Sequence, residues 1–358
     1  MVSSSTAASH TGTPGAERRD ITATNAAERA AFVASAGEPT YRAEQLERWL
    51  FEGGAASFAE MTNLPASFRE LLDASFVLPC PRVADEAADA DGTVKYLMAL
   101  HDGLQVEAVF LPDEDHDAVC VSSQVGCRFG CAICATGTLP FRRDLTAYEI
   151  FAQYVQIGRR RGAERVRNVV FMGQGEPLAN YDAVVGAVEL LRTRADVGGR
   201  RITVSTSGLA DKIRAWAAGG PPVKLAVSLN SAVQETRDRL MPGLARYPLP
   251  ALAEACAYYA RRTRRPITFE YVLVAGVNDD AAHARALVAF TRGWACKINV
   301  LPFNAWPGAP YEAPPAERIE AFLAAAAKGP AAVTFRRPRG AGIHAACGTL
   351  ANRARTVT

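Results

Sequence analysis

Apolar residues along the chain follow two periods, and the change between them falls near residue 80. From Asn25 to about Pro81, three stretches repeat apolar positions at spacings of three and four: ERAAFVASAG, YRAEQLERWLFEGG and LPASFRELLDASF. That period gives each segment one apolar stripe and predicts a small helical module. KYLMALHDG and QVEAVFLP then alternate or run apolar around an Asp-Gly turn, which predicts a β-hairpin leading into a larger domain.

Beyond Cys120 the pattern changes again. RNVVFMG, RITVST, KLAVSLN, ITFEYVLV and KINVLPFN read as strands, and amphipathic segments such as YDAVVGAVELLRTRA and IEAFLAAAAKG separate them. Such βα repetition predicts an α/β fold with a parallel sheet or (β/α) barrel whose active site lies at the C-terminal ends of the strands. The polar residues that close those strands therefore become candidates: Gly175 and Glu176, Ser207, Ser228 and Asn230, and Asn304. Taken one at a time, each also fits ordinary turn chemistry.

These patterns divide the chain into four parts. Residues 1–25 are rich in Ser, Thr, Ala and Gly without periodicity, which predicts a disordered tail. Residues 26–85 form the helical module, 86–119 the hairpin connection and 120–358 the barrel. Hydrophobic residues make up 49% and charged residues 22%, the balance of an ordinary globular protein. The N-terminus lacks the apolar centre of a signal peptide, and no apolar run is long enough to span a bilayer, so a cytoplasmic protein is expected. The net charge of +3 does not by itself require a polyanionic partner. Three local runs, GRRRG at 158–162, RRTRR at 261–265 and RRPRG at 336–340, could hold phosphates, although solvated arginines are the commoner use of such runs.

Eight cysteines in a reducing compartment point to ligands or catalysts rather than to a disulfide framework. Three cluster in CRFGCAIC as C-x3-C-x2-C, through Cys127, Cys131 and Cys134. They are one thiolate short of a closed tetrahedral zinc site. Either a distant fourth ligand completes zinc, or a metal position stays open. Cys80, Cys256 and Cys296 sit in apolar or helical surroundings and are assigned no role. His101, His116, His283 and His344 are isolated and read as structural.

The triplet at the start of a βα barrel resembles the radical S-adenosylmethionine (SAM) superfamily, in which three cysteines hold a 4Fe-4S cluster and SAM takes the open iron. The blocks CVSSQVGCRFGCAICATG, FMGQGEPLANYD, RRITVSTSGLADKI, RLMPGLARYPL, TFEYVLVAGVND, NVLPFN and AACGTL resemble, in order and spacing, the RlmN/Cfr family of RNA adenosine methyltransferases. With the leading segment GEPTYRAEQLERWLFEGG, which resembles that family's N-terminal helical module, the resemblance covers nearly everything from about Glu38 to Leu350, and GEPLANYD and TFEYVLV are closer to the RlmN branch. The fold this implies is a radical SAM partial (β/α) barrel with a small N-terminal helical domain that binds RNA.

The resemblance also implies a chemistry. Cys347 would receive a methyl group from one SAM, and a second SAM, cleaved at the cluster, would supply the radical that activates that methyl for addition to an adenine carbon. Cys120 would resolve the resulting protein–RNA adduct by pairing with Cys347. Glu107, thirteen positions before Cys120, would remove the adenine proton. SAM contacts would come from Gly175, Glu176, Ser207, Ser228, Asn230 and Asn304. Implied partners are 23S rRNA and tRNA, together with an electron donor such as flavodoxin, with the chain a monomer. C8 methylation, as in Cfr, uses the same residues. A non-catalytic iron-sulfur RNA-binding homologue would not need Cys120, Cys347 and Glu107 together. The chain departs from the family pattern at Asn230 (SLN for SLH), Gln174, Asp144, His344 and Thr349.

Overall fold

The computed structural model describes residues 18–162, 164 and 166–352, and these fall into two compact units. One takes the chain up to Leu50 together with Ala55–Pro79; the other takes Phe51–Gly54 and Cys80 onward.

The first unit is helical, as its period predicts. α1 (Ala26–Ser35) opens with a reciprocal cap: the Asn25 side chain accepts from the Glu28 N–H while Glu28 accepts from the Asn25 N–H. α2 (Tyr41–Arg48) widens into a π turn at Trp49–Gly53, and α3 (Ala66–Ser75) follows a Pro at its N-cap. Ile21, Val33, Leu46, Leu64, Phe68 and Leu72 form the core, and Phe32 meets the edge of Phe76 at 4.8 Å. Arg29 is buried here and binds Glu47 and the Thr24 carbonyl.

Part of the expected disordered tail is ordered. Residues 1–17 lie outside the described residues, but β1 (Arg19–Asp20) pairs in parallel with β2 (Phe76–Val77), and a 3-10 turn at Ile21–Ala23 follows. Ile21 is fully buried. One apolar residue in a polar stretch carries no period, so sequence patterning could not find it.

The second unit is built on a ten-stranded sheet. β3 (Arg82–Ala88), β4 (Val94–Ala99), β5 (Gln105–Leu111) and β6 (Asp117–Cys120) are antiparallel neighbours. The expected hairpin is present, yet it is no mere connection: it extends the main sheet, whose strands begin at Arg82, inside the stretch assigned to the helical module. A short hairpin, β7 (Gln124–Val125) with β8 (Arg143–Asp144), stands apart from this sheet.

From β6 onward the sheet is parallel. β9 (Val166–Phe171) pairs with β6, and β10 (Ile202–Thr206), β11 (Lys224–Ser228), β12 (Ile267–Leu273), β13 (Cys296–Pro302) and β14 (Ala332–Phe335) follow in sequence order. The crossovers carry α4 (Ala147–Arg161), α5 (Tyr181–Arg194), α6 (Ala210–Gly219), α7 (Gln234–Leu240), α8 (Leu249–Thr263), α9 (Ala281–Thr291) and α10 (Ala316–Ala326). All five predicted strands are present because both faces of a parallel sheet are covered, which demands near-continuous apolar runs. Val169, Phe171, Val204, Val227, Phe269 and Val300 are accordingly fully buried. β14 was not foreseen: AVTF is short and largely exposed, so it lacks that signature.

An ion pair between the half-buried Arg143 and the fully buried Glu149 anchors the start of the barrel. Glu149 caps α4 through Thr146 and also takes two hydrogen bonds from Arg143, each 2.8 Å. Removing Arg143 strands the buried Glu149 carboxylate, a cost that approaches the roughly 3–5 kcal/mol of a fully buried pair only in part, because Arg143 is half-exposed.

Candidate active site

The cysteine triplet lies in the loop between β7 and β8, and that loop is tied at several points. Cys134 N–H donates to the Cys131 carbonyl (3.1 Å), Ala132 N–H to the Leu240 carbonyl (2.9 Å) and Ala135 N–H to the Gly348 carbonyl (2.6 Å). Cys127, Cys131 and Cys134 line one wall of a cavity at the C-terminal ends of the parallel strands. The cavity encloses about 1060 Å³ of non-protein space, part of it open to solvent. Burial pushes the Cys127 thiol up to about 12 and raises Cys131 and Cys134 as well.

The strand ends line the same cavity. Gly175 has φ +97°, and a Cβ there would come within 2.6 Å of Gln124, so this turn needs glycine. Glu176 is buried; one carboxylate oxygen accepts from the Ser207 N–H and hydroxyl, both 2.6 Å, and the other from the Leu178 N–H at 3.0 Å. Burial raises its pKa, and the Ser207 bonds oppose that rise. Ser228 closes β11 on the same cavity. Asn230 also lines it in a left-handed conformation (φ +55°), but its amide is spent on the wall: Oδ1 accepts from Val272 N–H at 3.0 Å and Nδ2 faces the Met241 sulfur at 3.3 Å. Asn304 donates to the Cys347 carbonyl at 3.0 Å.

Cys347 is exposed and lines this cavity too, 213 positions after Cys134. Lost hydration in the concave wall, then the neighbouring Glu270 carboxylate, push its thiol up to about 11.

Cys120 and Glu107 sit elsewhere. Cys120 is buried in an apolar cluster with Val109, Ala345 and Leu350, close enough to Cys347 for the two thiols to interact electrostatically. Burial raises its pKa far above the usual thiol value. Glu107 is fully buried; Oε1 lies 3.0 Å from Lys95 Nζ, and Oε2 accepts from the N–H groups of Ala351 and Asn352 at 2.8 and 3.1 Å. Because Val109 pairs with Cys120 and Glu107 is two residues from Val109, both groups occupy one face of the sheet. The C-terminal segment covers that face while presenting Cys347 to the cavity. Gln174 helps to hold it there, accepting from Glu107 N–H at 3.1 Å and donating to Asn352 Oδ1 at 2.8 Å.

Two features, one lining the cavity and one near it, escaped sequence reasoning. Glu270 and Val272, two apart on β12, both face inward, and Glu270 is buried with Asn299 donating to it at 2.9 Å. A carboxylate within an apolar strand was the available signal. Arg237, fully buried behind the cysteine loop, lies in the polar run ETRDRL and gave none.

Comparison with known proteins agrees with this arrangement. The profile of the radical SAM superfamily matches residues 121–287, and that of the ribosomal RNA large subunit methyltransferase N-terminal domain matches residues 20–78. A dual-specificity RNA methyltransferase RlmN of Anaeromyxobacter sp. (strain Fw109-5) is 44% identical, over 89% of this chain and 87% of that protein. The chain belongs to the RlmN family. An RlmN of Geotalea uraniireducens (strain Rf4) is 42% identical over 94% of this chain and 98% of its own length. A radical SAM methyltransferase from Sphaerobacter thermophilus superposes with a TM-score of 0.87 at 40% identity, covering 94% of this chain and all of that one. As in other RlmN sequences, the radical SAM fold implies a 4Fe-4S cluster and SAM.

The residues present fit those groups. Three thiol side chains, the ligand type iron-sulfur clusters take, line one cavity with a glycine turn, a buried carboxylate and two serines. Among the described residues, no three His, Cys, Asp or Glu side chains converge on a single ion-sized point. No helix among them is long and apolar enough to cross a membrane.

Proposed function

We propose that this RlmN-family chain methylates C2 of an adenosine in 23S rRNA and in tRNA, with Cys347 as the methyl carrier. The observation that carries this reading is the placement of Cys347 on the same cavity as the cysteine triplet and the Gly175-Glu176 turn. Cys127, Cys131 and Cys134 would hold the 4Fe-4S cluster. When bound, the cluster and two SAM molecules per turnover supply the methyl group and the radical chemistry that an electron-poor aromatic carbon without a lone pair requires.

The chain's own residues then have positioning and proton-handling work. Asn304, Ala135 and Thr136 fix the Cys347 segment through the carbonyls of Cys347, Gly348 and Leu350. Glu107, oriented by Lys95, would accept the C2 proton, and Cys120 would pair with Cys347 as the base leaves. Both lie beneath Ala345–Asn352, so their use requires that segment to shift. A thiol suits the carrier position because it is nucleophilic and can form a disulfide reversibly.

RNA would be gripped through phosphates. Arg336 and Arg337 are exposed beside the Cys347 segment, whereas Arg159 and Arg161 are partly engaged, with the Gly54 carbonyl and the Tyr96 hydroxyl. The helical unit would add RNA contacts, which makes binding salt dependent. The reading also includes a cytoplasmic monomer and an electron donor such as flavodoxin.

Nucleoside mass spectrometry of rRNA and tRNA from a deletion strain tests the proposal. Loss of 2-methyladenosine, restored by the gene, is expected. Loss of 8-methyladenosine instead would favour C8 chemistry, and an unchanged profile would remove the activity.

For SAM, Glu176→Gln removes a charged hydrogen-bond acceptor. Such bonds contribute about 1.5–3 kcal/mol, so the Kd for SAM rises roughly 10- to 150-fold while iron content stays at the wild-type level. Calorimetry on the reconstituted variant reads the Kd, and an iron assay reads the metal content. An unchanged Kd would take Glu176 out of the site.

A further inference from the structure

α7 carries a side chain that the cavity lining does not use. Arg237 is 1% exposed, among the largest fully buried side chains of the described residues. Burying a guanidinium is unfavourable unless a counter-charge is near. Its Nη2 donates to the Ser207 carbonyl at 2.6 Å, its Nη1 faces the Met241 sulfur at 3.1 Å, and its Nε has no partner. No carboxylate among the described residues forms an ion pair with it.

Its place in the fold points to the negative charge it faces. The end of α7 and the 3-10 turn that follows it (Pro242–Leu244) are each joined to the cysteine loop, by Ala132 N–H to the Leu240 carbonyl and by Gly243 N–H to the Phe129 carbonyl at 3.1 Å. These bonds hold the helix against the loop. The guanidinium lies near enough for its charge to act most strongly on Cys131, then on Asp238, Cys256 and Glu176. Space for it is made by Gly208, where a Cβ would approach Nη2 to 2.8 Å. Burial lowers its pKa only to about 10, so it stays cationic at neutral pH.

We infer that Arg237 is a fixed counter-charge for the iron-sulfur cluster, a positioning residue that raises the potential at which the cluster accepts its electron. The inference rests on the proposal that Cys127, Cys131 and Cys134 hold that cluster. Three thiolates bring negative charge into a buried wall, and reduction adds one more. A cation in the same low-dielectric region therefore stabilises the reduced form more than the oxidised one. A guanidinium serving only to fill space would not need to be charged.

The test is a redox titration of the full chain, reconstituted anaerobically and followed by electron paramagnetic resonance, with iron content and circular dichroism measured alongside. Arg237→Met and Arg237→Gln remove the charge at similar size, and Arg237→Lys keeps it. In the neutral variants the ratio of reduced to oxidised cluster at the wild-type midpoint should fall about tenfold, a shift of about 59 mV for one electron. The lysine variant should regain most of that difference. Folded, iron-loaded neutral variants at the wild-type potential would overturn the assignment. So would failure of both neutral variants to fold, since the guanidinium would then be a packing element. Wild-type protein that takes up no iron would instead refute the ligand role of the three cysteines.

Discussion

Replacing any one of Cys127, Cys131 and Cys134 by Ala is expected to remove nearly all cluster iron and all RNA methylation. The three thiols share one wall of the cavity, and the loop that carries them is pinned by bonds to the Leu240 and Gly348 carbonyls. Pinning keeps the remaining two thiols in place but leaves no neighbouring thiol on that loop to replace the third. Losing even an outer partner of a metal ligand costs roughly 10- to 100-fold in affinity, and a direct ligand should cost more. Ala is the informative replacement because a Ser oxygen could still ligate. Iron and sulfide assays with the visible absorbance of the reconstituted protein read the result. A variant that keeps its iron would disqualify that cysteine as a ligand.

The second large effect concerns Cys120. Its Ala variant should fold, since the thiol sits among Val109, Ala345 and Leu350 and its polar contact is a weak thiol hydrogen bond with the Met172 backbone. Methyl transfer to Cys347 does not need Cys120, whereas release of the product does, because only a second thiol nearby can form the disulfide. The variant should therefore be isolated joined covalently to RNA. Nuclease digestion and peptide mapping should find the remnant on Cys347, and Cys120→Ala combined with Cys347→Ala should carry none. Normal turnover by the Cys120 variant would show that the pairing assigned here is wrong.

Residues differ in how openly they declared these roles. The triplet was legible because its ligands are local: C-x3-C-x2-C must fall within one loop whatever the rest of the chain does. Strand ends were legible for a related reason, since parallel strands buried on both faces are continuous apolar runs, and the polar residue that follows each one reaches the C-terminal rim. Cys347 is different. Nothing in its own surroundings marks it as a catalytic residue, and only the ordered family blocks singled it out.

Resemblance in turn could not say what covers what. It grouped Cys120 and Glu107 with Cys347, while the structure seals both beneath the segment that presents Cys347 to the cavity. Asn230 was expected to face SAM, yet its amide is hydrogen-bonded within the cavity wall.

From the sequence alone came the βα order, the helical unit, the cluster loop and the family. Each follows from short-range patterns: a period of two or three to four residues, a ligand spacing, a run of motif blocks. Tertiary structure alone decided that the hairpin strands extend the main sheet, that Ile21 belongs to a core, that Glu270 faces the cavity and that Arg237 is buried against the cysteine loop. Those facts depend on which distant segments meet. Burial and counter-charge are properties of the neighbours a residue acquires on folding, and a linear pattern carries no record of them.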